Sequence, residues 1–298
     1  MRLLSPWRFG LIALMGAGMG GCAPAVLDPQ GPIGAQEKVI LLDSVVVMLV
    51  VVVPTLLAIL GFAFWYRASN TRARRLPEFA YSGRIELVVW SIPILVIVFL
   101  GGMTWVSAHD LDPAKPIASS AKPVEIQVVS LDWKWLFIYP DQGVASVNHL
   151  EIPAGVPVHF TLTSASVMNT FFVPQLGGMI YTMNGMADQL NLQADHPGTY
   201  YGESAHFSGD GFSDMHFLVD AVTPQAFAAW AAKTKGAGPA LNAAAYQALA
   251  RQSTKIAPFT YGAVDPGLFQ AVVEQTQAPG PGPSAGQPTA QVSSRTAP

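Results

Sequence analysis

The segment Tyr200–Met215 comes closest to a metal-binding pattern in this sequence. Ser204 and Ser208 are four positions apart, and Phe212 and Met215 follow in the same glycine-containing stretch. The spacing is that of a metal-binding loop, but a serine hydroxyl is a hard donor that stays un-ionised at neutral pH. A soft metal centre such as bridged copper needs thiolates. The segment therefore has the pattern of a metal-binding loop without the thiolate ligands.

Histidines and methionines provide a weaker alternative, a copper-carrying site. Its donors would be the side chains of His206, Met215, His216, Met179, Met183 and Met186. Because methionine commonly fills gaps in protein cores, a repacked loop and core is the favoured interpretation. The other histidines are scattered, and each is expected to be structural or solvent-facing: His109, His149, His159 and His196.

Composition indicates that part of the chain lies in lipid. Hydrophobic residues make up 51% of the sequence and charged residues only 12%, against about 25% in soluble proteins. Two uncharged runs, Ser44–Tyr66 and Leu87–Ala108, are long enough to cross a bilayer, which takes roughly 20 residues. We predict transmembrane helices over residues 39–66 and 86–108. The net charge of −3 argues against nucleic acid as a partner.

The segment between these runs sets the predicted topology. Residues 67–85 contain a single acid, Glu78, and several arginines: Arg67, Arg72, Arg74, Arg75 and Arg84. The positive-inside rule places such a loop in the cytoplasm, so both outer flanks are predicted to be periplasmic in a bacterial inner membrane.

The N-terminus agrees with export. Arg2 and Arg8 precede a short apolar run that ends just before Cys22, the one cysteine of the chain. Residues 1–21 therefore predict a signal peptide, with Cys22 lipidated at the start of the segment 22–38. A plain secretory signal with an incidental cysteine is the alternative.

The remainder predicts a soluble domain and a tail. After a proline-containing linker over 109–123, short alternating segments separated by turn residues predict an antiparallel β-sandwich over 124–222. Residues 223–276 are alanine-rich and predict helices, whereas 277–298 have almost no large apolar residue and predict disorder. The predicted fold is a membrane-anchored α+β protein: a two-helix transmembrane hairpin, a sandwich, a short helical segment and a disordered tail.

Four motifs, in order along this topology, carry a family resemblance. They are the pattern Glu86, Trp90 and Pro93 in the second helix, the aromatic segment 132–137, the segment 166–177, and the Pro197–Gly202 approach to the loop. Over residues 35–222 the chain resembles subunit II of the haem–copper respiratory oxidases. That resemblance implies a cupredoxin-like sandwich, which binds two coppers in the cytochrome c oxidases.

The resemblance also identifies the positions of the copper ligands. Asn169 and Phe212 stand where histidines would be, and Ser204 and Ser208 stand where cysteines would be. Met215 is retained, and His206 would lend its carbonyl oxygen. The resemblance therefore implies a quinol oxidase subunit without metal or other cofactor of its own and without cytochrome c as a donor. Haems and copper would lie in subunit I, with subunits III and IV and membrane lipid as further partners.

Two alternatives remain at this point: a cytochrome c oxidase subunit II, and a membrane-tethered lipoprotein that binds copper or another ligand independently of an oxidase. Individual residues also have two interpretations. Glu86 is either an interfacial carboxylate paired with an arginine or, as the resemblance implies, the mouth of a proton channel into subunit I. Trp133 and Trp135 resemble an electron-receiving aromatic patch, but core packing is expected where copper is absent.

Overall fold

A computed structural model describes residues 25–74 and 76–282 of the chain. Within these ranges the chain forms two compact units, one of residues 36–115 and one that combines residues up to 35 with those from 116 onward. The predicted signal peptide and Cys22 lie outside the described residues.

Two long helices, α1 (Pro32–Trp65) and α2 (Gly83–Asp110), are long and apolar enough to cross a membrane, as predicted. Both extend beyond the predicted bounds. The first turn of α1 contains Pro32, whose fixed φ suits a helix start, and its Gly34 amide donates to the carbonyl of Leu176. The start of α1 was not predicted because charged residues such as Lys38 lower the hydropathy of this segment.

The second unit is a sandwich with helices at one end. One sheet has the strand order β12-β3-β2-β1-β5-β8, another has β4-β10-β9-β6-β7, and β11 pairs with β13. The strands are β1 (Val124–Leu131), β2 (Lys134–Tyr139), β3 (Val144–Val147), β4 (His149–Pro153), β5 (Val158–Ser164), β6 (Asn169–Phe172), β7 (Ile180–Thr182), β8 (Asp188–Leu192), β9 (Gly198–Ser204), β10 (His216–Val222), β11 (Ala240–Leu241), β12 (Phe259–Tyr261) and β13 (Ala263–Val264).

The sandwich was expected to be antiparallel, but its sheets are mixed. β1 pairs with β5 in parallel, and β4 pairs with β10 in parallel. Parallel partners need a long crossover rather than a tight turn, and each of these pairs is separated in sequence by several other strands. Turn residues in the sequence predict hairpins between neighbouring strands, but they do not predict parallel pairs between strands that are distant in sequence.

Aromatic rings fill the core between the two main sheets. Phe171 is fully buried at the centre, and its ring contacts those of Trp135, Phe160 and Phe217 with centroids 5.2–5.6 Å apart. Each ring comes from a different strand, so this cluster joins the two sheets.

The region after the sandwich contains more than the predicted helices. It forms α3 (Pro224–Thr234), α4 (Ala243–Leu249) and α5 (Leu268–Val273), but also the short strands β11 to β13. β12 extends the first sheet by pairing with β3. The Trp230 ring of α3 packs on Tyr139 at a centroid distance of 5.0 Å. The region is therefore continuous with the sandwich, and its residues Tyr246 and Phe269 share a buried cluster with strands of the first sheet.

Residues 277–282 differ from the predicted disorder. The Gly280 amide donates to the carbonyl of Ala165, and the Gly282 amide donates to the Asp132 carboxylate at 2.9 Å. Composition fails here because these backbone amides, rather than apolar side chains, hold the segment on the sandwich. Residues 283–298 lie outside the described residues.

Candidate functional site

The predicted ligand positions come together at one end of the second sheet. β6 begins at Asn169, β9 ends at Ser204, and the loop 205–215 between β9 and β10 carries Ser208 and Met215. All four side chains are buried, with 1–6% of each residue exposed. The loop spacing indicated the serines and Met215, the family resemblance indicated Asn169, and the structure places Asn169 beside them from a separate strand.

The donors at this site are neutral. Ser204 Oγ lies 3.3 Å from both Asn169 Oδ1 and the His206 carbonyl oxygen. Ser208 Oγ lies 4.0 Å from Met215 Sδ. These hydroxyl, amide, carbonyl and thioether groups satisfy one another without a metal. They do not fit a bridged copper pair, because thiolate ligands are missing.

The rings of the other two predicted positions, Phe212 and His206, each contact another aromatic ring. The Phe212 ring, in a short 3-10 turn, packs against Phe207 at 5.6 Å. The His206 ring packs edge-on against Tyr181 at 6.0 Å. The His206 carbonyl thus lies at the cluster, where it accepts from Ser204, while its imidazole contacts Tyr181.

Trp133 contacts the loop 205–215 directly. Its Nε1 donates to the Ser208 carbonyl at 3.1 Å, and its own backbone has a φ of 65°, which is rare for a bulky residue. A Cβ at Gly211 would lie 2.4 Å from the Trp133 ring, so only glycine fits there. Trp135 is fully buried in the aromatic core. Both tryptophans therefore have the packing roles expected of them.

Beside this loop lies a buried polar clamp that sequence analysis missed. Lys134 Nζ donates to the Arg251 carbonyl and to Ser253 Oγ, both at 2.7 Å. Asp132 accepts hydrogen bonds from Ser166 and from the Gly282 amide. Burial lowers the pKa of Lys134 to about 8, although the nearby Asp132 charge favours the ammonium form. The position of Lys134 between two tryptophans, at the start of a strand, could have indicated that this lysine is buried.

The remaining candidates form no common site with this loop. His216 stacks on Tyr201 at 5.7 Å, and Met179 and Met186 are about half exposed. His159 hydrogen-bonds to Asn191. His149 is different, because it lies beside Glu151 and Asp220, a grouping that sequence analysis did not predict.

Glu86 lies in the first turn of α2 and is exposed. A carboxylate there interacts favourably with the positive end of the helix dipole. Within residues 25–74 and 76–282, no salt bridge joins Glu86 to an arginine. The pairing that was one interpretation of Glu86 is thus not formed among these residues.

Comparisons with known proteins found matches to two family models and to solved structures. Residues 142–222 match the family model for the periplasmic domain of cytochrome c oxidase subunit II, and residues 235–280 match the COX aromatic rich motif. A solved structure of the periplasmic domain of cytochrome oxidase subunit II from Bradyrhizobium japonicum is 22% identical, with a TM-score of 0.37, and covers 39% of this chain and 96% of its own.

Closer relatives match most of the chain. Ubiquinol oxidase subunit 2 of Acetobacter aceti is 49% identical over 86% of this chain and 83% of its own length. Cytochrome bo(3) ubiquinol oxidase subunit 2 of Pseudomonas aeruginosa is 47% identical over 84% of this chain and 76% of its own. The chain belongs to the ubiquinol oxidase subunit 2 family.

Proposed function

We propose that this chain is a non-redox, structural subunit II of a proton-pumping oxidase that oxidises ubiquinol and reduces oxygen to water. The donor set at Asn169, Ser204 and Ser208 carries the proposal, because without thiolates electrons cannot enter through the sandwich. In this proposal they enter from ubiquinol in the membrane and pass to haems and copper in subunit I. Subunits III and IV complete the assembly.

The test is purification of the intact complex from membranes in mild detergent. We expect the chain to co-purify with haem, and the complex to oxidise ubiquinol but not reduced cytochrome c. Turnover with cytochrome c would contradict the proposal. A haem-free chain running alone would instead favour the tethered ligand-binding lipoprotein.

The proposed membrane arrangement has a cytoplasmic loop between α1 and α2, with the sandwich in the periplasm. The arginines of residues 67–84 support this orientation. We further propose that Cys22 is lipidated after removal of residues 1–21, which would anchor the chain to the inner membrane. Mass spectrometry of the mature N-terminus tests this step, and an unmodified Cys22 would refute it.

Glu86 is proposed to collect protons at the entrance of a channel into subunit I. Its place at the start of α2, exposed and outside any ion pair with the described residues, leaves the carboxylate able to exchange protons. Glu86→Ala should slow steady-state oxygen reduction in the purified complex several-fold, since a positioned proton carrier commonly contributes about 100-fold or more and water can replace part of that. Oxygen consumption with ubiquinol measures the effect.

Glu78→Ala is the matched control, because Glu78 is an exposed carboxylate in the loop that leads to α2. It should leave turnover unchanged, and both variants should keep wild-type haem content. Equal turnover for wild type and Glu86→Ala would eliminate the proton-entrance role.

A further inference from the structure

Three ionisable side chains converge on the outer face of the second sheet, on strands β4 and β10. Leu150 and Ile152 point into the core, so the alternating His149 and Glu151 point outward. The parallel register places Asp220 directly opposite Glu151. His149 Nε2 lies 2.8 Å from Asp220 Oδ2 and 4.0 Å from Glu151 Oε2. One ligand atom from each residue lies within 4.8 Å of the other two.

The carboxylates of Asp220 and Glu151 differ in the number of hydrogen bonds that they accept. Asp220 accepts hydrogen bonds from Thr199 at 2.6 Å and from His149. Burial raises the pKa of Asp220, but these bonds outweigh burial and the net shift is downward. Glu151 is only 8% exposed, and its carboxylate accepts no hydrogen bond from the described part of the chain. Burial accordingly raises its pKa.

This arrangement calls for a positive charge. Like charges directly opposite one another on neighbouring strands destabilise a sheet, and among the described residues the largely buried Glu151 carboxylate is compensated only by a long, 4.0 Å ion pair with His149. His149 and Asp220 are close enough for a hydrogen-bonded ion pair, whereas Glu151 is too far from His149 for a hydrogen bond. A cation bound between the three side chains would compensate both carboxylates at once.

We propose that His149, Glu151 and Asp220 form a binding site for a divalent transition metal of the Zn²⁺ type. One imidazole nitrogen and two carboxylate oxygens are donors that zinc accepts, at about 2.0–2.2 Å. Tetrahedral ligands at that bond length lie roughly 3.3 Å apart, between the 2.8 and 4.0 Å observed. The third pair, Glu151 and Asp220, is within 4.8 Å, so side-chain rotations would have to bring these two carboxylates closer together. Water would occupy the fourth position on the partly exposed side.

Proton balance is simple at this site. In the hydrogen bond to Asp220 the proton lies on His149 Nε2. Metal binding would replace this N–H by a lone pair on the metal, so the neutral ring would change tautomer and carry its proton on Nδ1. His149 Nδ1 makes no hydrogen bond to the described residues, so it is free to carry that proton. The metal would then join β4, at the edge of its sheet, to β10.

The experiment uses the full chain, purified in detergent without a polyhistidine tag and stripped with a chelator. Titration with Zn²⁺ by calorimetry should show a single site, and titration with Co²⁺ should produce visible absorption from a His- and carboxylate-bound ion. His149→Ala and the isosteric Glu151→Gln should each weaken binding at least about tenfold, a loss that even outer-shell changes produce in metal sites.

His159→Ala is the matched control, because His159 is also partly buried on a strand but hydrogen-bonds to an asparagine. It should bind Zn²⁺ as wild type does. Absence of Zn²⁺ binding to the wild-type chain, or equal binding by His149→Ala, would overturn the proposal. Because Glu151→Gln preserves shape, its circular dichroism should match wild type, and a binding loss in that folded variant supports the site.

Discussion

The combined replacement of Asn169 and Phe212 by His, and of Ser204 and Ser208 by Cys, should give this chain a copper centre that the natural sequence does not form. The four positions lie around one loop, and Met215 and the His206 carbonyl are already in place. Two thiolates supply the soft ligands that the serines cannot. The expected result is a coloured, copper-containing chain, measured by elemental analysis and visible absorption after copper is added to the purified variant.

The control is the double variant Asn169→His, Phe212→His, which adds imidazoles without thiolates. It should remain without the thiolate-to-copper absorption at equal added copper. If the fourfold variant folds, by circular dichroism, and still gives no such absorption, then the loop geometry has drifted from that of a metal site. The interpretation of its shape as a conserved metal loop would then be wrong.

Phe171→Ala should be among the most damaging single truncations in the sandwich. The ring is fully buried and contacts aromatic rings from strands of both sheets. Truncating a buried Phe to Ala lowers the free energy of unfolding by about 3–5 kcal/mol, since transfer and cavity terms add. Denaturant unfolding of the detergent-purified chain, followed by tryptophan fluorescence, measures the change through the adjacent Trp135.

Phe207→Ala provides the comparison, because the same truncation is made at a side chain that is 72% exposed. The free energy of unfolding should change by no more than about 0.5 kcal/mol. A similar loss in both variants would mean that the core around Phe171 can collapse into the vacated space, contrary to its position between two sheets.

Sequence patterns predicted the elements of this fold better than their pairing. The apolar runs identified α1 and α2 because a helix that crosses lipid needs a long segment without charged residues, and such a segment is easily recognised in a sequence. Alternation identified the sandwich. The parallel pairing of β1 with β5 and of β4 with β10 was missed, because register between strands distant in sequence depends on how the whole core packs. Residues 277–282 were missed because backbone amides fix them, and composition does not report on such bonds.

The candidate site shows the same division. Ser204, Ser208 and Met215 are close in sequence, so their spacing was readable, and Asn169 was found through a motif. The Lys134 clamp and the grouping of His149, Glu151 and Asp220 each depend on contacts between distant segments. His149 was expected to be structural or solvent-facing, and nothing within its own strand distinguished it from the other histidines.

The Lys134 clamp has a consequence for biosynthesis. Its acceptors on Arg251 and Ser253 lie 117 and 119 residues further along the chain, and Gly282 lies 150 residues beyond its partner Asp132. Contacts of such long sequence separation form slowly. The Lys134 amine and the Asp132 carboxylate therefore lack these partners, and β3 lacks its partner β12, until residues 251–282 have been synthesised. Unpaired strand edges exposed during that interval favour aggregation of the nascent chain.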